Sequence, residues 1–302
     1  MSLKLGGGSI AKGYLGATEI IKAYLGANLV FSSGDTTSFI TTWRTTTTNE
    51  TITIPTSGGG YNYDISTSDG QTFTSVSGNQ AITFATAGDY DVSISGDFPR
   101  ININNGIDKD KLIKVKQWGD IAWGSIQDKA FYGVSNCDWT AIDYPNWSNV
   151  TRMSGTFRSS SFNGNLTNWD FSNVNRIDVS FFSASSYTGE GLGSIDVGNV
   201  TNFLLAISNT SVDQNLSSWD ITSATNFSSF ASSTTFSTSN YDAILIGWEA
   251  TLQSAFPNGS GYTPSISINF GGSEYTGGGA AAAARTSLIN NFNWTITDGG
   301  IA

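Results

Sequence analysis

The chain has no histidine and a single cysteine, Cys137. The first absence removes imidazole acid–base catalysis and His-bearing zinc sites, and the second removes any disulfide framework within one chain. Cys137 lies in repeat-like sequence and reads as a buried structural thiol. Charge is also scarce: 13% of residues are Asp, Glu, Lys or Arg, and the formal net charge is −10. After Arg158 the only basic residues are Arg176 and Arg285, so no electrostatic nucleic-acid footprint is expected in the C-terminal half. No stretch has the length and apolarity to span a bilayer. The opening Met-Ser-Leu-Lys-Leu-Gly-Gly-Gly has neither the apolar core of a secretory signal nor an early cysteine for a lipid anchor. Display outside a cell would then depend on something other than a leader of its own.

Catalytic signatures are missing too. There is no Gly-x-Ser-x-Gly elbow, phosphate loop or metal-ligand cluster. Asp89/Asp91 and Asp108/Asp110 are near in sequence, but turn and strand placement accounts for them without a glycosidase-type carboxylate pair. The expectation is a non-enzymatic protein that needs no cofactor.

What is present is Gly, Ser, Thr and Asn in surplus, a profile that suits β-structure with hydroxyl-rich surfaces. At 302 residues the chain can hold two or three compact units. Its organising feature runs from about Phe131 to Phe236 and repeats. The clearest copies are Asn-Trp-Ser-Asn-Val-Thr-Arg-Met at 146–153 and Trp-Asp-Phe-Ser-Asn-Val-Asn-Arg-Ile at 169–177, with looser copies at 195–203 and 219–227. Aligned on Val150, Val174, Val200 and Ala224, the periods are 24, 26 and 24 residues. Met153, Ile177, Phe203 and Phe227 keep step, as do Leu166, Leu192 and Leu216, and Trp169, Ile195 and Trp219. Apolar residues returning at a period in the twenties are the signature of a leucine-rich-repeat solenoid. One copy alone cannot bury its apolar side, whereas stacked copies can.

Around the repeats the reading gives four units. Residues 1–35 hold a decapeptide twice over, placing Tyr14/Tyr24, Leu15/Leu25 and Gly16/Gly26 ten residues apart. Each copy reads as a short strand ended by a Gly turn, too small to fold alone. This unit is assigned to docking or oligomerisation. Residues 36–105 show period-two strands at 51–54, 61–65, 81–84 and 90–94, separated by Gly-rich turns, which suggests a small β-sandwich. Lys109, Lys111, Lys114 and Lys116 alternate with Leu112, Ile113 and Val115, as a solvated strand or cap face would, at the start of the 106–240 solenoid. Residues 241–302 carry a helix from Tyr241 with Ser239-Asn240 placed to cap it, an alanine-rich helix from Ala280, and short strands; they form an α/β C-terminal cap. The fold expected is mainly β: a small β-sandwich, a short leucine-rich-repeat solenoid, and an α/β cap.

The pattern Trp-Asp-x-Ser-Asn-Val-x-x-Met/Ile, with Phe157 and Phe181 seven residues past the valine, resembles the BspA-type leucine-rich repeats of bacterial surface proteins. The third and fourth copies lose Met, and the fourth carries Ser223-Ala224 in place of Asn-Val. Ser68-Asp-Gly70 and the run 82–92 resemble PKD-like immunoglobulin-fold modules, with the usual Trp-Gly-Asp-Gly turn altered to Thr-Ser-Asp-Gly. The decapeptide resembles Tyr-Leu-Gly units in structural proteins of tailed-phage virions. These resemblances imply a phage virion appendage, of tail or head fibre type. Tyr14, Leu15, Gly16, Tyr24, Leu25 and Gly26 would dock it to other virion proteins, and the repeats would meet a host-surface glycan or protein. The alternative is a bacterial cell-surface adhesin. A homo-oligomer is expected, with no membrane insertion.

Three sets of repeat residues carry candidate chemistry. Asn149, Asn173 and Asn199 share a register where buried amides would satisfy backbone groups between turns. Asp170, Asp196 and Asp220 share another; capping of their own turns is the first reading, and a calcium ladder the weaker one. Tyr144, Trp147 and Tyr187 break the repeat register and are expected to face outward for recognition.

Overall fold

The computed structural model describes residues 35–302 in full, together with the backbone of four short N-terminal strands. These are β1 (Gly13–Leu15), β2 (Thr18–Ile20), β3 (Lys22–Leu25) and β4 (Asn28–Ser32). β1 pairs antiparallel with β2, and β3 with β4. The fold is mainly β.

Two antiparallel sheets follow. One has the order β11-β5-β10-β7-β8, and the other is the pair β6-β9. Their strands are β5 (Phe39–Thr45), β6 (Glu50–Ile54), β7 (Asn62–Thr67), β8 (Thr72–Val76), β9 (Gln80–Phe84), β10 (Gly88–Asp97) and β11 (Leu112–Gln117). Side-chain alternation accounts for most of them: β7 exposes and buries residues in strict turn, keeping Tyr63 and Ile65 inside. In β5 the inward positions Phe39, Thr41, Trp43 and Thr45 are buried, but the threonines among them and Ile40 on the other face blur the alternation in its sequence. Its polar groups are satisfied internally, with Trp43 Nε1 donating to Thr41 Oγ1 at 2.9 Å and Thr42 Oγ1 to Asp91 at 2.7 Å.

Glu50, at the start of β6, accepts the Thr46 amide at 2.6 Å and the Lys111 ammonium at 2.9 Å. Hydrogen bonding from Thr46 first, then Lys111, lowers its carboxyl to about 2. A depressed acid stabilises the fold above its unfolded value of about 4.3 and loses that contribution as pH falls toward 2. An NMR titration of the Glu50 carboxyl should therefore show a midpoint far below that of a free glutamate, and Lys111→Met should raise it. A midpoint near 4 in the unaltered chain would contradict the geometry.

The lysine-rich stretch completes the first sheet and joins it to the rungs. β11 pairs with β5 on one side and meets Asp138 by a parallel bridge at Lys114 on the other. Trp118 and Trp123 then carry the core across: both pack on Phe39, and Trp118 also packs on Trp169 with ring centroids 5.3 Å apart. One hydrophobic core therefore runs from Phe39 to Trp294.

From Ile126 onward the copies stack. Parallel bridges link Ile126, Arg152, Arg176, Asn202 and Asn226 in succession. Between two neighbouring rungs the N–H groups of Met153, Gly155, Phe157 and Ser159 donate to Arg176, Asp178, Ser180 and Phe182 at 2.8–3.0 Å. The alternate N–H groups of Thr156, Arg158 and Ser160 turn back to the residue three earlier in their own rung, so each backbone donor in the segment has a partner. This zigzag requires two left-handed residues per rung. They fall in columns, at Lys129/Gly133, Gly155/Ser159, Val179/Ser183, Leu205/Asn209 and Ser229/Ser233.

The stack is covered at both ends. At the start, Ile103 and Asn105 donate to Ala130 and Tyr132, and at the finish Ala231 donates to Asn269. The closing segment contains α1 (Thr238–Ala255), β12 (Ser267–Asn269), β13 (Glu274–Tyr275), α2 (Ala280–Phe292), β14 (Thr295–Thr297) and β15 (Gly300–Ile301). β12 runs parallel to β14, and β13 to β15. α1 turns Tyr241, Ile244, Leu245, Trp248 and Leu252 inward, a one-sided helical spacing. Gly247 lets it lie close, since a Cβ there would run into Ser217. The helix begins at Thr238, three residues before the expected Tyr241, with N-cap Ser237, which makes no side-chain capping bond. Asp213 from the previous rung stands at this terminus instead, accepting from Ser237 N at 2.8 Å and Asn240 Nδ2 at 2.8 Å. A carboxylate there is favoured by the helix dipole.

Candidate recognition site

The loop between Trp139 and Val150 departs from its sister rungs. Ile142 holds the register of Leu166, Leu192 and Leu216, which are fully buried, yet it is fully exposed. The cause lies three residues on. Pro145 stands where later rungs have Trp169, Ile195 and Trp219, and Trp118 arrives from the preceding sheet to pack on Trp169. With that end of the column filled, the loop turns out to solvent.

Asp143 ties the loop down, accepting from the backbone N–H groups of Trp118 (2.9 Å) and Gly119 (2.8 Å). Gly119 is required at its position: its φ is +63°, and a Cβ would collide with the carbonyls of Thr37 and Ser38. Between this anchor and the next rung lies a groove of about 450 Å³, lined by Asp120, Asp143, Tyr144, Asn146, Asn168 and Asp170 among others. Tyr144 is 54% exposed at its rim, close in sequence to Ile142. A half-exposed aromatic ring beside amide and carboxylate oxygens can stack on an apolar face and hydrogen-bond hydroxyl or ammonium groups. Among the described residues no group of three His, Cys, Asp or Glu side chains is placed to hold a metal ion.

Trp147 and Tyr187 are not surface residues. Trp147 is 2% exposed, at the bottom of the groove, and Tyr187 is wholly buried. Trp147 belongs to a column that the valine alignment contains, with Phe171, Val197 and Ile221, whereas Tyr187 lies one residue past the register of Phe162 and Val212 and is buried with them nonetheless. Their rings pack accordingly, Trp147 on Trp169 at 4.6 Å and Tyr187 on Phe181 at 4.5 Å. Neither the Trp147 Nε1 nor the Tyr187 hydroxyl has a hydrogen-bond partner, and burial pushes the Tyr187 phenol well above its usual range. An orphaned buried hydroxyl costs about 1–3 kcal/mol. Tyr187→Phe should therefore raise stability by about 1 kcal/mol or more, read as a rise in melting temperature. A fall would mean that the hydroxyl has a partner after all.

The asparagine register does bond between rungs but is exposed, not buried. Asn173 Nδ2 donates to Ser148 O and Asn199 Nδ2 to Ser172 O, both at 2.7 Å. Each amide sits at the solvent edge, where the turn leaves a carbonyl facing its neighbour. The aspartate register spends one oxygen on its own turn: Asp170 on Ser172, Asp196 on Gly198, and Asp220 on Thr222, at 2.9–3.0 Å from the amide nitrogens. Cys137 is buried, which raises its thiol far above the reactive range. Tyr14 and Leu15 fall in β1, and Tyr24 and Leu25 in β3; Gly16 and Gly26 lie outside the described residues. Sequence reasoning missed Ile142 and Asp143. The one available signal was Pro145 replacing an aromatic or Ile in the register.

A family model described as "Mycoplasma protein of unknown function, DUF285" matches residues 127–243. No curated protein and no solved structure matches the chain.

Proposed function

We propose that this chain is a non-enzymatic surface-recognition protein of the bacterial cell-surface adhesin kind, which binds a host-surface glycan or protein through the Tyr144 groove. The carrying observation is the exposed Ile142–Tyr144 loop, pinned by Asp143 over a 450 Å³ groove. A loop that exposes two large apolar side chains on a rigid anchor is a binding device more than a folding one. On this reading the stacked rungs are a BspA-like leucine-rich-repeat solenoid. The two sheets are an immunoglobulin/PKD-like sandwich that raises it, and residues 241–302 are its cap. The family match coincides with the stacked rungs, which favours the cell-surface reading over the virion one. Among the described residues no helix is long and apolar enough to cross a membrane.

Adhesion of beads coated with the full chain, to whole cells and to a glycan array, tests the site. Tyr144→Ala should weaken binding about tenfold or more, as loss of an aromatic anchor does, and Ile142→Ser should weaken it as well. Binding unchanged in both variants would remove the groove from the function.

The tandem hairpins β1–β2 and β3–β4 support a second reading, a virion appendage docked through residues 1–34. Peptide mass spectrometry on purified particles and on envelope fractions separates the two. Stoichiometric recovery in particles would favour the appendage, and recovery only in envelopes the adhesin.

A further inference from the structure

The pairing of charge across the molecule points to a second binding surface. Eight described cations, including Lys116, Arg152, Arg176 and Arg285, lie within 3.0 Å of a carboxylate. Arg100 is held by Asn102 and the Asp128 carbonyl. Among the described residues only the Lys129 and Arg158 side chains have neither a carboxylate nor a hydrogen-bond partner, in a chain of net charge −10. Their stems are neighbours: a Cβ built on Gly155 would lie 3.6 Å from Lys129 Cγ and 3.8 Å from Arg158 Cβ.

Arg158 is also fixed in place. Its guanidinium carbon lies 5.0 Å from the Tyr132 ring centroid and 5.3 Å from that of Phe182, so rings from the rungs on either side enclose it. Its Nε is buried without a partner. A guanidinium covered on its faces presents only its planar donor edge, the geometry that receives a carboxylate in two parallel hydrogen bonds. The neighbouring column supplies hydroxyls at Ser159 and Ser183.

We infer that the Lys129–Arg158 face binds a carboxylate-bearing sugar of an acidic polysaccharide. An extended acidic peptide fits less well, because strand addition needs free backbone edges. The rung amides here are already used between rungs, and both ends of the stack are covered. The face therefore offers side chains alone: a charge fork, aromatic rings and hydroxyls. This surface is independent of the Tyr144 groove and carries the opposite charge.

The test is affinity electrophoresis of the full chain at low ionic strength through gels containing polygalacturonate, neutral dextran or polyglutamate. Retardation is expected in polygalacturonate, and fading with added salt. Arg158→Gln and Lys129→Gln should each weaken it about tenfold. Lys116→Gln, whose cation is paired with Asp91, should leave it unchanged. The exposed Lys129 side chain keeps the test decisive if Arg158→Gln perturbs folding. Absence of retardation, equal retardation by polyglutamate, or retention of full binding by both variants would overturn the assignment.

Discussion

Phe157→Ala should cost about 3–5 kcal/mol, the range for removing a fully buried phenyl ring from a core that cannot collapse around the gap. Phe157 is the middle ring of a stack that crosses three rungs, with Phe131 and Phe181 at 5.6 and 5.7 Å. Phe162 lies against it at 3.8 Å, and Trp139, Trp147 and Trp169 surround it. Deleting this ring therefore strips contacts from three rungs at once, and each rung relies on its neighbours for burial. The melting temperature should fall by roughly 10 °C for a chain of this size. Ser148→Ala, at an exposed position of an adjacent turn, should move stability by less than about 0.5 kcal/mol. Similar losses in the two variants would show that the ring column does not hold the rungs together.

The second large effect is expected in the closing segment. Asp298 is 4% exposed and bonds Arg285 Nε at 2.7 Å; its Oδ2 also accepts the Tyr241 hydroxyl at 2.7 Å. The triad ties α1, α2 and the chain end together. Burial raises the Tyr241 phenol far out of its usual range, and the Asp298 contact adds to that shift, so the tyrosine stays a neutral donor. Asp298→Asn retains an acceptor for Tyr241 but strands the arginine. Breaking one side of a buried pair costs about 3–5 kcal/mol; because Arg285 is 21% exposed, about 2–3 kcal/mol is expected after screening. Arg285→Met in the Asp298→Asn background should recover part of the loss, because the uncompensated charge is then gone. A strictly additive cycle would mean that Asp298 and Arg285 contribute no coupling to stability.

The repeat was legible because it is periodic. Val150, Val174, Val200 and Ala224 are all buried, as are the methionine, leucine and tryptophan registers that keep step with them. Strands β6, β7, β9 and β10 were legible because each has one wet and one dry face. β5 and β8 were not. The first has Thr41 and Thr45 on its buried face and Ile40 on the other, and the second is an edge strand with little buried, so neither leaves a period-two trace. The burial of Trp147 could have been read from its register, whereas that of Tyr187, one residue out of its column, and the exposure of Ile142 could not. The latter depends on Trp118, one 24-residue period earlier and just past the end of β11, which packs on Trp169.

By itself the sequence determined the mainly β character, the period of the rungs, and the lack of histidine or disulfide chemistry. These follow from composition and local spacing, which act along the chain. Tertiary structure alone decided that β11 joins the first sheet to the rungs, that Asp213 meets the helix of the next segment, and that Lys129 and Arg158 share a face. The first two span one 24-residue period, but only the folded contact shows which groups meet, and the third joins residues 29 apart. Only the packing of one rung on the next brings their charges and hydrogen-bonding groups within reach.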